Sequence, residues 1–218
     1  MLGAITPQTR VMFVANPNNP TGTLAPKTEI EQLVARVPDS VLLVMDEAYI
    51  DFLDDRADLL PLVRSLKKPN LLLMRTFSKI YGLAGLRLGY GIGHPDLISA
   101  LEKVRQPFNI NSLIQAGAIA ALDDEEHLAR TKRNNQEGLD FFSKGLRELN
   151  LECAPSAANF VLVRVDDGQK VFEAMQSTGV ITRPMGGYKL PEWIRITVGT
   201  PPENERCLAA LKSALGGR

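Results

Sequence analysis

Cysteine, histidine and aromatic residues are scarce in this 218-residue chain, and neither sign of charge is in excess. It has two cysteines, two histidines, one tryptophan and 6% aromatic residues. Cys153 and Cys207 have no CxxC spacing and no histidine beside them, which argues against a disulfide framework or a zinc site and leaves packing as their role. Twenty-five Lys and Arg balance twenty-five Asp and Glu, so no global field draws the chain to nucleic acid or to an anionic membrane surface. No apolar run approaches the ~18–20 residues that span a bilayer, and the N-terminus lacks the basic start and small-residue cleavage site of a signal peptide. These absences point to a cytoplasmic enzyme whose partner is a small molecule or another protein, with no metal, no nucleic acid and no membrane. What is present is 44% hydrophobic residues, enough core for one large domain or two small ones.

The first half repeats one pattern three times. Unbroken apolar runs at Val11–Ala15, Val41–Met45 and Leu71–Met74 are each followed by a polar cluster, as expected of parallel strands buried on both faces. Helices are predicted between and after them. One starts after Pro26, carries Ile30, Leu33, Val34 and Val37 on one stripe, and ends before Pro38. Another spans Pro95–Val104, with Leu97, Ile98, Leu101 and Val104 on one side. This order predicts an α/β fold with right-handed crossovers and a mostly parallel sheet, whose carboxyl edge collects the three polar clusters. A helical region over Ser112–Asn150 leads into a smaller C-terminal α/β domain. There we expect strands at Phe160–Val165, Val180–Thr182 and Trp193–Val198, a helix at Gln169–Gln176, and a last helix after Thr200 that stops at Gly216-Gly217. The domain boundary is drawn between 122 and 123, giving 1–122 and 123–218. Met1–Ile5 reads like the tail of an element that begins upstream.

Four clusters could carry chemistry. Asn16-Pro17-Asn18-Asn19-Pro20-Thr21-Gly22 follows the first strand and presents amides from a turn set by two prolines and a glycine. Asp46-Glu47-Ala48-Tyr49 places a carboxylate at the end of an apolar run, where it needs a cation or donors, or serves as a helix N-cap. Thr76-Phe77-Ser78-Lys79 delivers a cation to the same edge. Gly82-Leu83-Ala84-Gly85-Leu86-Arg87-Leu88-Gly89-Tyr90 adds glycines that permit close backbone approach and, in Arg87, a planar donor suited to phosphate.

In register, NPNNPTG, DEAY, TFSK and GLAGLRLGY resemble the class I/II, fold-type I aminotransferases that use pyridoxal 5′-phosphate. Within them, DEAYIDF, TFSKIYGLAGLRLGYGI, RQPFNINSLIQAGAIAAL and RPMGGY followed by WIRITVG are most similar to the histidinol-phosphate aminotransferase family, over essentially the whole chain. The resemblance implies transamination of L-histidinol phosphate with 2-oxoglutarate, giving imidazole acetol phosphate and L-glutamate in histidine biosynthesis, by a homodimer. It makes Lys79 the catalytic residue, holding the cofactor and shuttling the substrate proton. It pairs Asp46 with the pyridinium nitrogen, sets Asn19 and Tyr49 on the ring oxygen, and gives the phosphate to Thr76, Ser78 and Arg87. Arg195 would grip a substrate anion, with Arg183 as a second phosphate contact and Asn19 also facing the substrate. Asn159 is a further candidate, for a ligand or for a turn. His94 and His127 receive no catalytic role.

Lys189 departs from the pattern, standing where the family loop usually has glycine. The resemblance further implies that a phosphate-binding helix N-terminus, an aromatic ring over the cofactor, an N-terminal arm and a tyrosine from the partner subunit belong to a segment preceding Met1. The large-domain sheet is then expected to be incomplete, with a strand edge and core surface exposed. Two other functions fit the same residues: a related aromatic aminotransferase or phospho-amino-acid decarboxylase, and a truncated, non-catalytic remnant.

Overall fold

The computed structural model describes residues 1–216, so Gly217, half of the predicted glycine stop, lies outside the described residues. Gly216 takes φ +79° and donates to Ser213 O, closing the last helix. Two compact units are present: Met1–Pro17 with Leu24–Leu128, and Asn18–Thr23 with Ala129–Arg218.

The first unit holds a four-stranded sheet in the order β1 (Val11–Ala15), β2 (Leu42–Asp46), β3 (Leu71–Thr76), β4 (Gly89–Gly93). β1–β2 and β2–β3 are parallel and β3–β4 is antiparallel. The sequence reading has no β4, because Gly89, Gly91 and Gly93 supply no strand-forming side chains. Packing requires them. A Cβ at Gly89 would lie 2.9 Å from Arg75 O, and one at Gly93 3.3 Å from Leu71 O. α1 (Lys27–Arg36) ends before Pro38, as its apolar stripe predicts. With α2 (Leu60–Arg64) it covers one sheet face, burying Ile30, Leu33, Val34 and Val63 against Val14, Leu43, Met45, Leu71 and Leu73. On the other face Val11, Met74 and Phe13, the last 69% accessible, are exposed, and β1 is an edge strand.

α3 (Pro95–Glu102) buries none of its residues fully, and Val104, assigned to its apolar side, lies beyond its end and is exposed. The predicted 112–150 helical region is two helices, α4 (Ser112–Leu122) and α5 (Glu125–Glu148), broken at Asp123-Asp124.

The second unit holds the antiparallel sheet β5 (Cys153–Ala154), β6 (Phe160–Arg164), β8 (Trp193–Thr197), β7 (Arg183–Pro184), in that order. Later turns of α5 pack on one face with α6 (Gly168–Ser177) and α7 (Pro201–Ala214), around Phe142, Leu146, Val161, Val163, Met175, Ile194, Ile196 and Leu211. The strand expected at Val180–Thr182 falls instead at Arg183–Pro184. Val180 N–H donates to Met175 O and so belongs to the C-terminal turn of α6, while Pro184, lacking an N–H, suits an edge strand. Cys207 packs in this core and Cys153 against it, and burial pushes the Cys207 thiol up to about 11. Among the described residues, no helix is long and apolar enough to cross a membrane.

Candidate active site

In the first unit, Ala15, Asp46 and Met74 stand in register across β1–β3, so the turns after these strands open at one carboxyl edge. Strand alternation puts Asp46 and Thr76 on the same sheet face, together with exposed Phe13 and Met74. The Asp46 carboxylate is half-buried and accepts from Ala48 N–H at 3.1 Å. It has no cation among the described residues. Tyr49, 4% accessible, presents its ring to Lys79, whose Nζ lies 5.2 Å from the ring centroid. Lys79 is half-buried and has no carboxylate partner among the described residues.

Local bonds shape the turn that carries Lys79. Thr76 Oγ1 accepts from Ser78 N–H at 3.1 Å and donates to Leu88 O at 3.3 Å, so this hydroxyl is engaged within the turn. Phe77 is buried against Tyr81 and Tyr90. The Arg87 backbone is left-handed at φ 55°, an uncommon conformation for a side-chain-bearing residue, and its exposed guanidinium donates to Ala84 O.

In the second unit, Arg195 projects from the face of β8 away from the helices. Its guanidinium lies 4.8 Å from the Phe160 ring centroid, and Nη1 donates to Asn19 Oδ1 at 2.5 Å. Its Nε is buried without a hydrogen-bond partner. The salt bridge that would make Arg195 an ordinary strand arginine is absent among the described residues. Arg183 is its register partner on β7, so two arginines face each other across neighbouring strands, an unfavourable pairing unless an anion joins them. Asn159 supplies its carbonyl to Val198 N–H, a sheet-edge bond in keeping with the turn role. Lys189 takes φ 61°, the left-handed conformation that glycine adopts readily, which explains the small residue usual in that loop.

Three features near these residues escaped the sequence reading. Asn16 is buried, with its N–H on Asp46 O and its Oδ1 on Ala25 N–H, and so fixes the start of the first loop. His127 Nε2 lies 3.0 Å from the carbonyl of Ile80, the residue after Lys79. Glu47 and Arg75 form a buried ion pair at 2.8 Å. The available signal was polar residues at the ends of apolar runs, which does not say what they meet.

A family model for aminotransferase class I and II matches residues 1–211. The chain belongs to the class I and II aminotransferases. It is 51% identical over 214 residues to a histidinol-phosphate aminotransferase of Akkermansia muciniphila, covering 98% of this chain and 58% of that protein. Histidinol-phosphate aminotransferase 2 of Ralstonia nicotianae is 52% identical over 221 residues, covering 99% and 59%. The crystal structure of histidinol-phosphate aminotransferase from Sinorhizobium meliloti in complex with pyridoxal-5′-phosphate superposes with a TM-score of 0.85 at 32% identity, over 94% of this chain and 57% of that one. The chain therefore spans somewhat more than half the length of these aminotransferases.

Proposed function

We propose that this aminotransferase chain binds pyridoxal 5′-phosphate and acts on L-histidinol phosphate with 2-oxoglutarate, in the cytoplasm, within histidine biosynthesis. The observation that carries the reading is that Asp46 and Lys79, close to the carboxyl ends of adjacent parallel strands, each lack an opposite charge among the described residues. A half-buried carboxylate without a cation fits a protonated ring nitrogen, and an unpaired lysine beside a buried tyrosine fits an aldehyde-bearing group. The donor set thus suits the cofactor, which supplies an electron sink when bound.

The chain's own residues then divide the work. Lys79 holds the cofactor covalently and its Nζ moves the proton from the substrate Cα. The Asp46 carboxylate holds the ring nitrogen protonated. The Tyr49 hydroxyl bonds the ring oxygen, a role the resemblance also gives to Asn19, while Ser78, Arg87 and the Thr76 turn hold the phosphate. Arg195, with Arg183 as its register partner, takes the substrate anion through its planar guanidinium. In this reading residues 1–122 are the cofactor-binding part and 123–218 the smaller domain.

Substrate profiling tests this. The chain, supplied with pyridoxal phosphate, should convert histidinol phosphate in preference to aromatic amino acids. Arg195→Lys should lower kcat/KM by roughly 10²-fold, because an ammonium cannot reproduce the planar fork. A parent chain inactive on histidinol phosphate sinks the substrate assignment, and one that takes up no cofactor favours the non-catalytic reading.

The homodimer is proposed on the surface of α4 and the segment before it. Of α4 only Ala118 is buried, while Leu113, Ile119 and Leu122 are exposed, and Phe108 nearby is 99% accessible. Sedimentation at micromolar concentration should show a dimer that Leu113→Glu converts to monomer; a monomeric parent rejects this face as a self-contact.

A further inference from the structure

The Glu47–Arg75 pair has no part in the roles above, yet it sits between them. Glu47 directly follows Asp46, and Arg75 directly precedes Thr76. Asp46 stands opposite Met74, and Glu47 N–H donates to Met74 O at 2.8 Å, so Glu47 and Arg75 meet one step further along the same register. Strand alternation turns Arg75 to the sheet face opposite the one bearing Asp46 and Thr76.

Arg75 grips more than one residue there. Its Nε donates to Glu47 Oε2 at 2.8 Å, and its Nη1 lies 3.7 Å from Asp51 Oδ1. Asp51 is also held by Arg56 Nη1 at 3.1 Å, and the same Arg56 nitrogen donates to Ile50 O at 2.9 Å. Glu47 and Asp51 flank Tyr49, whose ring faces the Lys79 amine. Arg75 therefore straddles the Tyr49 turn from one strand while leading, four residues later, into Lys79.

A buried ion pair is weak evidence of a stabilising role. Glu47 is 3% and the Arg75 side chain 9% accessible, and a buried ion pair commonly gains nothing over apolar residues of the same volume, whereas a planar fork fixes geometry. Burial pushes the Glu47 carboxyl above its usual range, opposed by the hydrogen bond and charge of Arg75. We propose that Arg75, acting through Glu47 and Asp51, is a positioning residue that sets the Tyr49 ring against the Lys79 amine. The inference rests on the reading of Lys79 as the cofactor-bearing lysine, but the geometry belongs to the chain alone.

Its test begins without cofactor. Trace acetylation of the chain by acetic anhydride, followed by peptide mass mapping, reports the reactivity of Lys79 relative to exposed Lys103. Arg75→Lys keeps the charge and loses the fork, and Asp51→Asn alters a partly exposed residue, so the second variant folds even if the first does not. Each folded variant, verified by its thermal unfolding midpoint, should shift the Lys79 to Lys103 rate ratio by roughly fivefold or more. Asp51→Glu should restore part of the parent ratio, which a purely structural loss would not do. Folded variants with an unchanged ratio overturn the proposal. Borohydride trapping of pyridoxal phosphate on Lys79 separates the two readings. A parent that traps none while the ratio still shifts refutes the cofactor reading and leaves the positioning intact; a parent that traps well, with ratio and trapping unchanged in the variants, does the reverse.

Discussion

A Lys79→Ala chain is expected to retain no pyridoxal phosphate that borohydride can trap, and to lose at least about 10³-fold in transamination. The reason is chemical rather than structural. Covalent capture and the substrate proton both need a primary amine at this position, and an alanine offers neither. Folding should survive the change, because Lys79 is half-buried and its amine contacts the Tyr49 ring, an interaction worth about 1–2 kcal/mol at such a site. Visible absorption on adding cofactor, read beside the unfolding midpoint, separates the two effects. Colour and trapping that persist in a folded Lys79→Ala chain would falsify the lysine assignment, whereas loss of colour together with loss of fold would show that the residue is structural.

Gly22→Ala is expected to destabilise the second unit by about 3 kcal/mol, and to weaken substrate binding through a residue that the substitution never touches. Gly22 has φ +77°, where an L side chain is strained. Its carbonyl accepts from Ala157 N–H at 2.8 Å, and a Cβ there would run into the Ser156 side chain, 2.9 Å from that residue's own Cβ. Ser156 cannot easily swing away. Its hydroxyl donates to Phe160 O at 2.6 Å and accepts from Ala158 N–H at 3.2 Å, closing the turn into β6. The alanine must therefore lift the Asn18–Thr23 loop, and with it Asn19, the hydrogen-bond partner of Arg195. Urea unfolding should show the lost stability, and KM for histidinol phosphate, the proposed substrate, should rise while kcat changes less. In a Ser156→Gly background, which already lacks the two hydroxyl bonds, Gly22→Ala should cost only the part due to φ. An unfolding midpoint equal to that of the parent would show that the loop does not rest on Ser156.

Much of this arrangement is legible in local patterns. β1 to β3 are readable because short unbroken runs of Val, Leu and Met stand between polar clusters and helical stripes, the order of a parallel sheet, although one face of β1 is exposed; α1 is readable because Pro26 and Pro38 punctuate a stripe at helical spacing. From those elements it follows that Asp46 and Lys79 ride close to the carboxyl ends of neighbouring strands, and the wording of the four clusters names the family. β4 is not readable, since the three glycines of GYGIG mask any strand signal; it pairs with β3, whose backbone leaves room for nothing larger than glycine at Gly89. The Val180–Thr182 strand misleads because β-branched residues there resemble a strand while Val180 closes a helix.

Charge pairing belongs to the other category. Residue types and their order along the chain follow from the sequence and say which groups are available at the carboxyl edge. Which of those groups remain uncompensated depends on the folded chain. Glu47 and Arg75 are 28 residues apart and Asn19 and Arg195 are 176 apart, and no local pattern encodes such a meeting. Desolvation and Coulomb energies depend on every neighbour within a few ångströms, so the sequence names the candidate lysine, aspartate and arginines while the folded chain decides which partners each one lacks.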